Sequence, residues 1–175
     1  MLFDYPIKDK ISVETYQMML SLLDKTKSTG KEHGFSLCAN KEITSGSICI
    51  GTECEIKIDV SCPHSGYVLG DFHTHPQSDA PPETDFPSNG DLISALCDKR
   101  HYRTNGTTCI AQAKTPDYVQ CYSIKIPSTE DTLKGYIDEY WKVGHQRAEQ
   151  KHLSHFYKET ININEQLKTK SSLKK

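Results

Sequence analysis

Apolar residues recur at helical spacing in three stretches of this chain and alternate with polar ones in several others. Val13, Tyr16, Leu20 and Leu23 follow Ser12, a good helix cap, and Gly30 lies just past a polar end; this predicts a helix that buries one stripe. Strands are predicted over 34–38, 47–50 and 55–60, the last with Ile56, Ile58 and Val60 alternating against Glu55, Lys57 and Asp59. A buried strand is predicted over 67–75 and a short helix over 91–99. Two more strands, 107–113 and 118–126, are joined by the turn residues Thr115-Pro116-Asp117. From Ser128, with Asp131 at capping-box spacing, Leu133, Tyr136, Ile137, Tyr140 and Trp141 form an apolar stripe that continues weakly to Leu153, Phe156 and Tyr157. This predicts a long C-terminal helix, weakened at Gly135 and Gly144 by about 1 kcal/mol each relative to alanine.

The lengths add up to one α/β domain over 1–165, with 166–175 as a disordered basic tail carrying Lys168, Lys170, Lys174 and Lys175. A chain of 175 residues can bury a core without disulfide staples. With 21 basic and 23 acidic side chains the formal charge is −2, so no global field draws the protein to nucleic acid or to an anionic membrane. No apolar run approaches the roughly 20 residues that span a bilayer. The seven cysteines contain no C-x-x-C pair and the N-terminal residues lack a basic, long apolar leader. Free thiols and a cytoplasmic location are the expectation.

Chemistry concentrates in Gly70-Asp71-Phe72-His73-Thr74-His75-Pro76 and Ser88-Asn89-Gly90-Asp91. On a strand, His73 and His75 project from one face while Phe72 and Thr74 face the other way. Asp91, opening the short helix, offers a third donor. Two imidazoles and a carboxylate with one open position are what catalytic zinc uses, and such an ion brings the pKa of a bound water down toward about 7. One Zn2+ per chain is therefore expected. A base must take the water proton, and a donor must steady the oxyanion; Glu32, just before the first strand, and Ser88, at the helix start, are the candidates.

Taken singly, these features have plainer readings. An H-x-H is often a surface pair, S-x-x-D is often only a capping box, and a Glu beside Lys31 is often only solvated. Asp71 shares the face of His73 and reads equally as a solvated turn carboxylate. Cys54 with Cys62-Pro63-His64 fits no common zinc finger, and His145, His152 and His155 read as a polar helix face.

Together, Glu32, then His73-Thr74-His75-Pro76, then Ser88-x-x-Asp91 resembles the JAMM (MPN+) metalloprotease pattern, in order and in residue type. Glu32-His33-Gly34-Phe35-Ser36-Leu37 is similar to that family's first-strand segment. The resemblance implies His73, His75 and Asp91 as zinc ligands, Glu32 as general acid and base, and Ser88 as oxyanion donor. It also implies a mixed β-sheet flanked by helices, like that of cytidine deaminases, and cleavage of a peptide or isopeptide bond at the C-terminus of a ubiquitin-like protein. One departure is a longer spacer: twelve residues, Pro76 to Pro87, separate His75 from Ser88. Within that spacer, 77–87 reads as a proline-rich loop beside the site, and doubling a loop's length costs only about 0.6 kcal/mol.

Two rival readings stand beside this one. A non-catalytic interaction module of the same fold would use the long helix for a homodimer or heteromeric contact. An amidohydrolase or PHP-type metal hydrolase shares a D-x-H-x-H-like strand end, but such barrels typically exceed about 200 residues with further ligands downstream, and only 100 residues follow His75.

Overall fold

The computed structural model describes residues 5–52, 56, 62, 66–76, 87–98, 101–102, 106–115, 117–125, 130–143 and 155–173. Helix α1 (Val13–Thr29) begins where the Ser12 hydroxyl accepts the Thr15 N–H at 3.1 Å, and ends at Gly30. There the backbone turns left-handed at φ 71°, a conformation glycine adopts without Cβ strain. Its buried stripe is Tyr16, Met19, Leu22, Leu23 and Thr26. Val13 and Leu20, expected at its centre, are half-buried.

The strands are β1 (His33–Ala39), β2 (Ile43–Ser45), β3 (Cys49–Ile50), β4 (Tyr67–His75), β5 (Cys97–Asp98), β6 (His101–Tyr102), β7 (Thr107–Gln112), β8 (Tyr118–Ile124) and β9 (Phe156–Asn162). The other helices are α2 (Asn89–Leu96), α3 (Glu130–Val143) and α4 (Ile163–Leu173). One seven-stranded sheet runs β2-β1-β4-β7-β8-β9, with β3 also on β1, while β5 and β6 pair separately. Among the described strands of the large sheet only β4 and β7 pair parallel, so the sheet is mixed, as expected. This open sheet is not the closed parallel barrel of the amidohydrolase reading. Gly70 lets β4 approach β7, because a Cβ there would lie 1.6 Å from the Thr107 carbonyl oxygen.

Each face of the sheet carries its own core. On one, α1 and α4 cover Phe35, Leu37, Phe72, Cys109, Ala111, Val119, Cys121 and Ile161. On the other, Leu92, Ile93 and Leu96 of α2 and Leu133 and Ile137 of α3 meet Ile110, Tyr122, Ile124 and Phe156. β4 lies inside the sheet between β1 and β7, which sets its alternating side chains into both layers. No helix among the described residues is long and apolar enough to cross a membrane.

Four expectations need correction. The helix from Ser128 is present over Glu130–Val143, but its extension to Phe156 and Tyr157 is replaced by β9. Spacing alone cannot separate the two for a short apolar run. Aromatic and β-branched residues favour the strand, and β9 satisfies the free edge of β8 from Tyr118↔Asn162 to Ile124↔Phe156. Nor is 166–175 a disordered tail, since α4 runs to Leu173. The Asn162 side chain caps α4 by accepting the Glu165 N–H at 3.0 Å, while Ile163 and Leu167 dock on the α1 core.

The short helix starts earlier and ends earlier than 91–99, giving way to β5. Four of the seven cysteines are not thiols: Cys38 is bonded to Cys62 and Cys109 to Cys121, while Cys49 keeps its thiol. Cys109 and Cys121 are register partners with Cα atoms 4.0 Å apart, a juxtaposition set by strand pairing rather than by sequence spacing. The thiol count therefore no longer bears on the compartment. All but residue 56 of the predicted strand 55–60, and all but residue 87 of the loop 77–87, lie outside the described residues.

Candidate metal centre

β1 and β4 pair antiparallel with Gly34 opposite His73, Phe35 opposite Phe72 and Ser36 opposite Asp71. Residues directly opposite share a face, so Asp71, His73 and His75 project toward α2, and Phe72 and Thr74 toward α1. Continuing the register brings Glu32 level with His75. Its backbone is fixed there, with its N–H on the Thr52 carbonyl and its carbonyl accepting from Gly51 N–H, both at 2.7 Å. Ligand-capable atoms of Glu32, His73 and His75 lie within 4.8 Å of one another, and among the described residues they form a group that can hold a metal ion.

Asp91 reaches the same place from the other layer. Ser88 and Asp91 form a reciprocal cap: Ser88 N–H donates to Asp91 Oδ2 at 2.9 Å, and Asp91 N–H donates to Ser88 Oγ at 3.1 Å. The cap uses Oδ2 and leaves Oδ1 facing His73, with Nε2 at 3.4 Å. Ser88 Oγ, fixed as an acceptor from Asp91, still has a hydroxyl proton to donate.

Distances at His73 Nε2 test whether this set fits a cation. The Nε2 atoms of His73 and His75 are 3.1 Å apart, and His73 Nε2 is 3.4 Å from Asp91 Oδ1. Ligand atoms about 2.0–2.1 Å from a tetrahedral zinc are about 3.3 Å from each other, so both separations suit neighbours in one coordination sphere. Charge agrees with geometry. Burial disfavours protonated His73, but the carboxylates of Asp91 and Asp71 outweigh it and hold its pKa well above the ordinary value. Burial likewise disfavours ionised Asp91, yet His73 foremost, then His75 and the Ser88 N–H, hold its carboxyl well below the ordinary range. The pocket thus favours positive charge between these groups, which a cation can supply in place of a proton.

Thr74, between the two histidines, plays a part that the sequence reading did not assign. Facing α1, its hydroxyl accepts the His33 N–H at 2.9 Å and lies 2.5 Å from Thr26 Oγ1. His33 Nδ1 is 2.9 Å from the Lys31 carbonyl and 3.0 Å from Thr26 Oγ1. A carbonyl only accepts, so the His33 proton sits on Nδ1. This buried knot clamps both neighbours of Glu32 to α1. The only hint in the sequence was that a threonine between two ligand-type histidines must face the opposite layer.

Every candidate from the sequence pattern falls in this corner of the fold: Glu32, His73 and His75 as a cluster, Asp91 on His73, and Ser88 on Asp91. Asp71 also lies there, its Oδ1 3.5 Å from His73 Nδ1. No family model and no curated protein matches the chain. Among solved structures it is similar to a JAB1/MPN domain protein from Archaeoglobus fulgidus, with 19% sequence identity and a TM-score of 0.38, over 65% of this chain and 88% of that one. At that level of superposition the likeness adds nothing to the geometry.

Proposed function

We propose that this chain is a zinc-dependent peptidase that cleaves a peptide or isopeptide bond at the C-terminus of a ubiquitin-like protein. The observation that carries the reading is the convergence at His73 Nε2, with His75 Nε2 at 3.1 Å and Asp91 Oδ1 at 3.4 Å, and Glu32 in the same group as the histidines. His73, His75 and Asp91 would hold the ion. When bound there, zinc supplies the Lewis acidity that makes water a nucleophile near neutral pH.

The chain's own residues do the rest. Water adds its oxygen to the scissile carbonyl carbon as Glu32 takes one of its protons. The Ser88 hydroxyl donates to the oxyanion that forms. Glu32 then returns its proton to the departing nitrogen as the C–N bond breaks, leaving a carboxylic acid and an amine, and the acid passes the second water proton to that amine or to solvent. No side chain becomes acylated, so no cysteine nucleophile is required. The substrate class comes from the motif resemblance alone.

The test is cleavage of a ubiquitin-like protein joined to lysine, with zinc content measured in parallel. Cleavage should stop on chelation, return with zinc, and be absent in Glu32→Gln although zinc stays bound. Full cleavage by Glu32→Gln would remove the mechanism, and bound zinc with no cleavage of any such conjugate would favour a binding module.

A further inference from the structure

The proposed reading explains one nitrogen of His73 and leaves the other. For Nε2 to present a lone pair to a cation, the imidazole must carry its proton on Nδ1. That nitrogen is fully buried and makes no hydrogen bond within ordinary limits among the described residues. Facing it is Asp71 Oδ1, at 3.5 Å. Asp71 is itself buried, and the Thr108 hydroxyl donates to the same Oδ1 at 2.9 Å from the register-paired position on β7.

We propose that Asp71, braced by Thr108, is a positioning residue for His73: its carboxylate takes the Nδ1 proton side of the ring and so turns the Nε2 lone pair toward the cation. The arrangement rests on the reading of His73 as a metal ligand. Its parts come from the register, because β4 alternation puts Asp71 and His73 on one face and the parallel pairing with β7 puts Thr108 beside Asp71. A 3.5 Å separation closes to a hydrogen bond with a small ring rotation, and Thr108 holds the carboxylate in place for it. A carboxylate on the far nitrogen also makes the imidazole a stronger donor to the ion.

The test is zinc affinity by competition with a chromophoric chelator, together with the visible spectrum of the cobalt(II)-loaded protein and the melting temperature of the metal-free protein. Asp71→Ala should weaken zinc by about 10- to 100-fold and shift the cobalt(II) bands, because the ring loses its orientation. Asp71→Asn keeps an acceptor oxygen and should recover part of that loss. If the Asp71 variants fold poorly, Thr108→Val retains the carboxylate and nearly the same shape, and should still weaken zinc severalfold with altered cobalt(II) bands. Unchanged zinc affinity and cobalt(II) spectrum in folded Asp71→Ala, or in Thr108→Val where that variant alone folds, overturns the proposal. A parent protein that binds no zinc overturns the metal reading itself, a different result from a parent that binds zinc and an Asp71 variant that binds it equally well.

Discussion

The two faces of β4 do opposite work with the same backbone. Toward α1, Phe72 packs tilted against Phe35 with ring centroids 4.9 Å apart and Thr74 ties β1 to the helix, all of it buried. Toward α2, Asp71, His73 and His75 point into a corner where carboxylates and imidazoles crowd together. Apolar burial stabilises the first face. The second gathers groups whose mutual fit is a fit to a cation and whose contribution to folding is small or negative, because buried charge must be compensated. Changes on the first face should therefore register as stability, and those on the second as binding and rate.

The largest separation of the two should come from Glu32→Gln. Loss of the proposed proton-transfer group should lower the rate by about 10²- to 10⁴-fold, with zinc content and melting temperature unchanged. A large drop in melting temperature would show that Glu32 belongs to the framework as well. Next is Phe72→Ala, on the opposite side of the same strand. It should cost about 3–5 kcal/mol of unfolding free energy, read from denaturant midpoints, while whatever remains folded binds zinc as the parent does. Weaker zinc binding by its folded fraction would mean that the faces are coupled through the strand.

Thr74→Val bridges the two faces and should show a mixed result. Removing the hydroxyl strands the buried His33 N–H, at a cost of about 1–3 kcal/mol. Because the same hydroxyl clamps the segment beside Glu32, the rate should fall as well, with zinc content kept. Lost stability with an unchanged rate would confine the knot to the framework.

The contrast also explains what the sequence could disclose. The candidate residues are legible because strand alternation and a capping box are local: His73 and His75 are two apart, and Ser88 and Asp91 three apart. Their meeting with Glu32 became legible through the order of the motif. The register that places Glu32 level with His75 belongs to β1–β4 pairing, which no local pattern states.

Failures fall where long-range pairing decides. β9 looked helical because Leu153, Phe156 and Tyr157 have helical spacing; the free edge of β8 makes the segment from Phe156 a strand. The Cys109–Cys121 bond likewise depends on β7–β8 register. α4 is the exception: the cap at Asn162-x-x-Glu165 is a local signal, which the reading of 166–175 as a basic tail did not use.

The smallest expected effect concerns a polar exception on the apolar face. Tyr16 is fully buried and donates to the Lys8 carbonyl at 2.6 Å. Burial foremost, then the negative charges of Glu159 and Asp9, push its phenol well above the ordinary tyrosine range. Glu159 is held there as acceptor from the Ile7 and Lys8 N–H groups, at 2.9 and 3.0 Å. Tyrosine in the unfolded chain ionises near pH 10, while folded Tyr16 keeps its proton. The contribution is thus fully present below about pH 10 and is lost as pH rises beyond it, by up to about 1.4 kcal/mol per pH unit.

Tyr16→Phe should cost about 1 kcal/mol at neutral pH through the missing hydrogen bond and flatten that alkaline loss, measured as melting temperature against pH. Zinc affinity should not change, because the phenol lies in the α1 layer, across the sheet from the metal corner. A Tyr16→Phe protein that melts at the parent's temperature at neutral pH and declines as steeply above pH 10 would show that ionisation elsewhere governs the alkaline limit. An altered zinc affinity would instead deny that the two faces are independent.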